Sequence, residues 1–225
     1  MISRGLKTAY YAAARGPMFV YARVYRAFFA PSTGMVRVHL GPGQNNYLPG
    51  WVNVDANIVS ARPDVWADLR NALPFGDGTV DVFYSHHMIE HLADQLLPFH
   101  FSELFRCLKP GGLVRLGGPN GDTAIKKFVE GDAAWFGDFP DSRKSLGGRF
   151  ANFILCRGEH TTILTESYLA ELLSAAGFVD IVRCSPAVET TDPNLITSQL
   201  LALETESTPE APHTLLVEAR KPPTQ

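Results

Sequence analysis

Seven short runs rich in β-branched and aromatic residues, at 36–40, 51–54, 65–69, 80–85, 113–116, 179–184 and 215–219, follow one another with turns or helical stretches between them. This alternation constrains the chain more than any other feature, because strands joined by helical crossovers pair in parallel and the crossovers run right-handed. The helical stretches are 88–108, disturbed by Pro98, and 165–176, closed by Gly177. The last connection, 185–212, is rich in Thr, Pro and Glu with one helical piece near 195–203, which allows the seventh strand to insert antiparallel. The expected fold is α/β: a seven-stranded, mostly parallel sheet with helices on both faces and an antiparallel last strand. A chain of 225 residues, 45% of them hydrophobic, can bury a core for one such domain.

The first expected strand runs into Leu40-Gly41-Pro42-Gly43, where glycines permit a tight turn and close approach of a ligand at the carboxyl edge of the sheet. The second ends in Asp55, 12 positions after Gly43, whereas a dinucleotide site would place its acid roughly 20 positions on. A third glycine is missing, and there is no Gly-Lys-Ser/Thr to cradle phosphates. A carboxylate at that strand end can accept both hydrogen bonds of a ribose diol, so the implied ligand is a nucleoside without a pyrophosphate. Asp68, in Ala67-Asp68-Leu69, is placed to accept from an adenine amino group beside the apolar Leu69; its structural alternative is a loop or helix-capping carboxylate.

These segments are joined by Leu73-Pro74-Phe75-Gly76-Asp77-Gly78, His87-Met88-Ile89-Glu90-His91-Leu92, Leu108-Lys109-Pro110-Gly111-Gly112 and the stretch from Leu169 to Phe178. In this order the motifs resemble those of class I S-adenosylmethionine-dependent methyltransferases, which have a Rossmann-like fold. The resemblance implies S-adenosyl-L-methionine as cofactor, with Gly41 and Gly43 at its methionine part, Asp55 on the ribose and Asp68 with Leu69 at the adenine. It places Ser85 and His86 near the methionine and sulfonium end. Pro42 departs from the small or Cys residue common there, and the short link between strands one and two is similar to a bacterial subgroup acting on small molecules and sugars.

His87, Glu90 and His91 have the spacing i, i+3, i+4, which on a helix sets all three on one face. The same residues satisfy His-x-x-Glu-His, with two His as metal ligands and Glu as base, so a metallopeptidase is the alternative from a different class. Among methyltransferases the segment resembles the Glu-x-x-Glu-His element of ubiquinone and small-RNA O-methyltransferases, with His87 at the first Glu position. That resemblance implies a divalent metal, Mg or Mn, held by His87, Glu90, His91 and the distant His160. Three imidazoles and one carboxylate suit Mn, Fe or Zn better than Mg. Other members carry Glu-His-Leu without any metal, and then His87 or His160 is the natural general base.

The stretch 131–160 is long for a connection and reads as a lid or acceptor loop, with Trp135, Phe136, Phe139, Arg143, Lys144, Arg149 and Arg157 among glycines. Rings of this kind stack on sugars or anchor the loop to the body. The expected reaction is O-methylation of a saccharide or other small-molecule hydroxyl; a lipid quinone, an RNA end or a nitrogen is the alternative acceptor. Nucleic acid is disfavoured by a net charge of -3 and the absence of an RNA-binding module. Three scattered cysteines without C-x-x-C spacing point to a reducing cytoplasm.

Charge is unevenly placed. Residues 1–54 hold Arg4, Lys7, Arg15, Arg23, Arg26 and Arg37 and no acid, while all 23 acidic residues follow. Residues 1–35 are expected to form a basic arm of two short helices broken at Gly16-Pro17, ahead of the catalytic domain at 36–225. A lid or homodimer element is the expected role. No run is long and apolar enough to span a membrane, and weak membrane-surface contact is the lesser alternative.

Overall fold

The computed structural model describes residues 4–224, with side chains from residue 9 onward. Arg4 and Lys7 of the basic arm therefore lie outside the described side chains. Strands β1 (Arg37–Leu40), β2 (Val52–Asp55), β3 (Val65–Trp66), β4 (Val80–His86), β5 (Leu108–Pro119), β6 (Val179–Arg183) and β7 (Thr214–Arg220) form one sheet in the order β3-β2-β1-β4-β5-β7-β6. Pairings from β3 through β5 are parallel, and β7 lies antiparallel between β5 and β6. The fold is the expected one.

Alternation along the strands sorts side chains onto two faces. Val38, Leu40, Phe83, Val114 and Leu116 join the main core with Phe101 and Leu104 of α2 (Leu97–Cys107) and Leu169 and Leu173 of α5 (Glu166–Ala176). On the other face, Val82, Tyr84 and Leu113 pack with Leu48, Ile196 and Leu200, the last from the single-turn α6 (Ser198–Leu201). Helices cover both faces, but on the second most of the work falls to irregular chain.

Two local expectations need correction. The arm is one helix, α1 (Arg4–Phe28), with Pro17 inside it. Pro17 and Ala13, whose carbonyl it leaves without an intrahelical partner, are exposed to water, while the neighbouring Ala14 and Met18 are buried and hold the turns together. The expected helix over 88–108 is instead two 3-10 turns, Ile89–His91 and Asp94–Leu96, followed by α2. Pro98 does not disturb a helix there; it stands in the first turn of α2, where its missing N–H costs nothing.

Candidate functional site

The parallel register sets Leu40 beside Val54 and Ser85, so the carboxyl ends of β1, β2 and β4 lie side by side where strand order reverses. Open α/β sheets bind ligands in such a crevice. Here it is a cleft of about 470 Å³ lined by Tyr11, Gly41, Gly43, Asp55, Asp68, Leu69, Arg70, His87, Met88 and His91, among others. Gly41 has φ +70°, and a Cβ there would sit 2.4 Å from the Met88 side chain, so this turn closes only on glycine. Gly43, at φ +59°, has open space where a Cβ would point.

Asp55 accepts from Gly43 N–H at 3.1 Å through Oδ2 and from Asn57 N–H at 2.8 Å through Oδ1. A carboxylate has about four acceptor positions, so acceptor capacity remains for a ligand diol. Burial pushes its carboxyl up, against the lowering pull of the Asn57, Gly43 and Ala56 amides. Asp68 is clamped by Arg70, whose Nε and terminal nitrogen each donate at 2.8 Å, and Arg70 N–H adds a third bond to Oδ1. One position on Oδ2 remains toward a ligand.

Ser85 and His86 are not brought to the cleft. Ser85 is fully buried with its Oγ unpartnered, and His86 turns toward Tyr84, its ring parallel at 6.2 Å. Burial, then the neighbouring His87, His39 and Arg115, pushes the His86 imidazole down to about 3. The chain passes the cleft one residue later, at His87, whose backbone is left-handed at φ +56°. Such a conformation costs a non-glycine residue about 1–3 kcal/mol and turns its side chain away from the strand's own alternation.

His87, Glu90 and His91 do not share a helix face. His87 precedes the 3-10 turn, so two histidines four apart on one helix, as a His-x-x-Glu-His peptidase needs, are not formed. Instead His87 Nδ1 lies 3.2 Å from Glu90 Oε1 and Nε2 lies 3.2 Å from Thr214 Oγ1. The carboxylate can only accept, so Nδ1 donates and Nε2 is left to accept from a hydroxyl. Glu90 is fully buried; its Oε2 has no partner, and Gly118 makes room for it, since a Cβ there would come within 3.3 Å.

Glu90, His91 and His160 each offer a ligand atom within 4.8 Å of the others; His87 lies outside that group. His91 Nδ1 donates to Glu159 O at 2.9 Å and His160 Nδ1 to Ile154 O at 3.0 Å. With Nδ1 committed to a carbonyl, Nε2 is the remaining ligand nitrogen of each ring, the orientation a metal site requires of its histidines. Burial first, against the opposing pull of Glu90, pushes the His160 imidazole down.

Beyond His87 lies a second, more open cleft of about 500 Å³, lined by Thr205, Glu206, Ser207, His213 and Thr214 as well as His87. Residues from the segment before β7 had no signal in the sequence: Thr214 is 127 positions from the imidazole it bonds. The stretch 131–160 holds α4 (Leu146–Leu155) and packs internally. Trp135 and Phe136 are buried with Ile154 in a small core beside α3 (Gly121–Val129), and Trp135 stacks on His213 at 4.2 Å. Arg149 pairs with Asp138, and Arg143 and Arg157 with Asp141. Phe139, 80% exposed, is the ring this stretch leaves open to solvent.

Residues 52–116 match the family model of a methyltransferase domain. A 127-residue part of the chain is 32% identical to a "Probable S-adenosylmethionine-dependent methyltransferase" of Mycolicibacterium smegmatis, covering 55% of this chain and 38% of that protein. The chain thus spans well under half the length of this curated relative. Among solved structures, a SAM-dependent methyltransferase from Archaeoglobus fulgidus is similar in fold, with TM-score 0.53 and 16% identity over 96% of this chain and 99% of that one. Haemonchus contortus phosphoethanolamine N-methyltransferase 2, in complex with S-adenosyl-L-methionine, has TM-score 0.50 and 15% identity over 89% of this chain and 51% of that one.

Proposed function

Starting from a chain that belongs to the class I S-adenosylmethionine-dependent methyltransferase family, we propose that it methylates a hydroxyl of a saccharide or other small molecule, with His87 as general base. The observation that carries this reading is the position of His87: it forms part of the wall of both clefts, its Nδ1 tied to buried Glu90 and its Nε2 bonded to a hydroxyl. The cleft residues fit a nucleoside, with free acceptor positions on Asp55, apolar Leu69 and open space at Gly43. When bound, S-adenosyl-L-methionine supplies an electrophilic methyl on its sulfonium.

His87 and Glu90 then do what the acceptor oxygen needs. An acceptor hydroxyl in the second cleft takes the place of Thr214 Oγ1 as donor to Nε2. As that oxygen is methylated its proton would pass to Nε2, and Glu90 would steady the resulting imidazolium. Alignment of oxygen and methyl supplies much of the acceleration, and the base contributes about 10²–10⁴-fold.

A metal-assisted variant rests on one specific observation, a carboxylate oxygen of buried Glu90 and a ring nitrogen of each of His91 and His160 within 4.8 Å of one another. A divalent ion held by Glu90, His91 and His160 would balance the charge of a carboxylate buried away from water. Two nitrogens and one carboxylate suit Mn, Fe or Zn, and such an ion would lower the acceptor's pKa.

The test is calorimetry with S-adenosyl-L-methionine followed by a labelled methyl-transfer screen over sugars, quinones, amines and RNA, with and without chelator. His87→Gln is expected to lower turnover about 10²–10⁴-fold while cofactor affinity stays within a few-fold. Equal losses of both would remove the base role, and turnover insensitive to chelator would remove the metal.

A further inference from the structure

α1 takes no part in the chemistry assigned to His87, yet its N-terminal turns stand at the nucleoside cleft. The helix is seated by its inner side: Ala14 and Met18 are buried, and Ala22 and Tyr25 pack against the main core. Tyr25 meets Phe75 edge-on with ring centres 6.3 Å apart, and Tyr21 lies 6.3 Å from Trp66 of β3. Toward its start the helix reaches the chain just past β2. Tyr10 Oη donates to Ala56 O at 2.9 Å, and Trp66 Nε1 donates to the same carbonyl at 2.9 Å. Ala56 directly follows Asp55, so α1 is fastened to the backbone beside the carboxylate proposed to hold the ribose.

Tyr11, the next residue, lines the cleft together with Gly43, Asp55, Asp68 and Leu69. Its half-buried ring meets Tyr10 edge-on at 5.2 Å, and the Arg70 guanidinium lies 6.0 Å from its centre. Burial first, then the Asp55 carboxylate, pushes its phenol up; Arg70 opposes, and Asp68 adds a smaller push. One ring thus feels both carboxylates assigned to the nucleoside, while its hydroxyl stays neutral and able to donate.

We propose, on the reading of this cleft as the S-adenosyl-L-methionine site, that Tyr11 binds the adenosine of the cofactor and that Tyr10 is a positioning residue holding Tyr11 in place. Each part of an adenosine then has a counterpart: the ribose diol at Asp55, the adenine amino group at Asp68, and an aromatic face at Tyr11. Rings serve nucleobases well because every base offers a π-face, and a tyrosine adds a polar tip to its apolar body. Position sets what Tyr11 distinguishes. It stands with Asp55 and Asp68, so it serves S-adenosyl-L-methionine and S-adenosyl-L-homocysteine alike, since the two share their nucleoside. The ring belongs to α1 and the carboxylates to the carboxyl edge of the sheet, so the Tyr10–Ala56 bond joins the two halves of the site and slows the departure of the nucleoside.

Calorimetry of the full chain with S-adenosyl-L-methionine, S-adenosyl-L-homocysteine and adenosine tests this without any acceptor. Tyr11→Ala is expected to weaken all three by a common factor of about tenfold or more, and Tyr11→Phe to recover most of the loss. Tyr10→Phe keeps the ring and loses the bond to Ala56; it is expected to speed release of labelled S-adenosyl-L-homocysteine several-fold in a chase experiment. An unchanged thermal midpoint of the ligand-free variants shows that α1 stays seated. Should Tyr11→Ala lower it, Tyr11→Leu, which fills the place without an aromatic face, carries the test and is expected to weaken all three ligands. Wild-type affinity in the Ala and Leu variants, or a loss of S-adenosyl-L-methionine binding that spares adenosine, would overturn the proposal. A wild-type chain that binds none of the three ligands would overturn the cofactor reading, and this proposal with it.

Discussion

Asp55 is under opposing demands. Burial favours its neutral form, while the amides of Asn57, Gly43 and Ala56, and the ribose diol it is proposed to bind, all favour the carboxylate. Its pKa in the free protein is raised, so bound cofactor would displace a proton. Affinity is therefore expected to be full above that pKa and to fall about tenfold per pH unit below it. Asp55→Asn should weaken S-adenosyl-L-methionine binding about 100-fold at neutral pH, since charge-assisted bonds are lost, and should flatten the pH dependence. Calorimetric titration across the acid range measures both; an Asn variant with the wild-type slope would assign the proton elsewhere. Asp55 was legible because a strand end fixes where its side chain goes. Glu90, His91 and His160 were legible as residue types, and the structure groups them. His87 was legible as a candidate base but not in its geometry, since the left-handed backbone that turns it toward Thr214 leaves no mark in the spacing.

At the scale of elements, β5 carries a charge into the interior. Arg115 is fully buried on the face of the sheet that faces α6, with Nε and a terminal nitrogen on the two oxygens of Glu204 at 2.7 and 2.6 Å. Its other terminal nitrogen reaches Glu218 on β7 at 2.5 Å and Glu189 O at 2.9 Å. Glu218 also accepts from Thr190 and Thr191. Three charges thus lace the irregular 185–204 chain to the sheet where a long helix would otherwise supply hydrophobic burial. Arg115→Met would leave two buried carboxylates without their cation, and the expected loss is about 3–5 kcal/mol, read as a shift of the urea midpoint. A loss below about 1 kcal/mol would mean that the segment is held by its apolar contacts alone. The sequence shows a lone Arg inside an apolar strand, but its partners lie 89 and 103 residues away, beyond any local pattern. For the same reason the helix expected over 88–108 failed. Its apolar spacing was read across residues 89–96, where two 3-10 turns follow the left-handed His87.

The whole molecule holds several neutral imidazoles in its interior, and this sets its response to acid. Burial pushes His39 and His100 down to about 4, and burial with the neighbouring His87, His39 and Arg115 pushes His86 to about 3. His39 faces Asn53 Oδ1 at 3.2 Å, and His100 Nδ1 donates to Leu69 O at 3.1 Å while its Nε2 is buried without a partner. At His100 burial outweighs the opposing pull of the Leu69 carbonyl and of Glu103, and at His39 it outweighs that of Asn53. The sign follows from proton counting. These folded-state pKa values lie below the unfolded value of about 6.5, so between about pH 6.5 and 4 the unfolded chain binds protons that the native chain cannot. Stability is then fully present above about pH 6.5 and lost as pH falls through this window. With three such groups the slope reaches about 4 kcal/mol per pH unit near pH 5, a large fraction of the 5–15 kcal/mol that a domain has. Carboxylates held low by cations, such as Asp141 beside Arg157, titrate only at more acid pH and act later. Urea unfolding at neutral pH and near pH 5 should show the midpoint falling steeply, with close to three protons taken up on unfolding. A midpoint that holds down to about pH 4.5 would require these imidazoles to be charged in the native state, which their surroundings oppose.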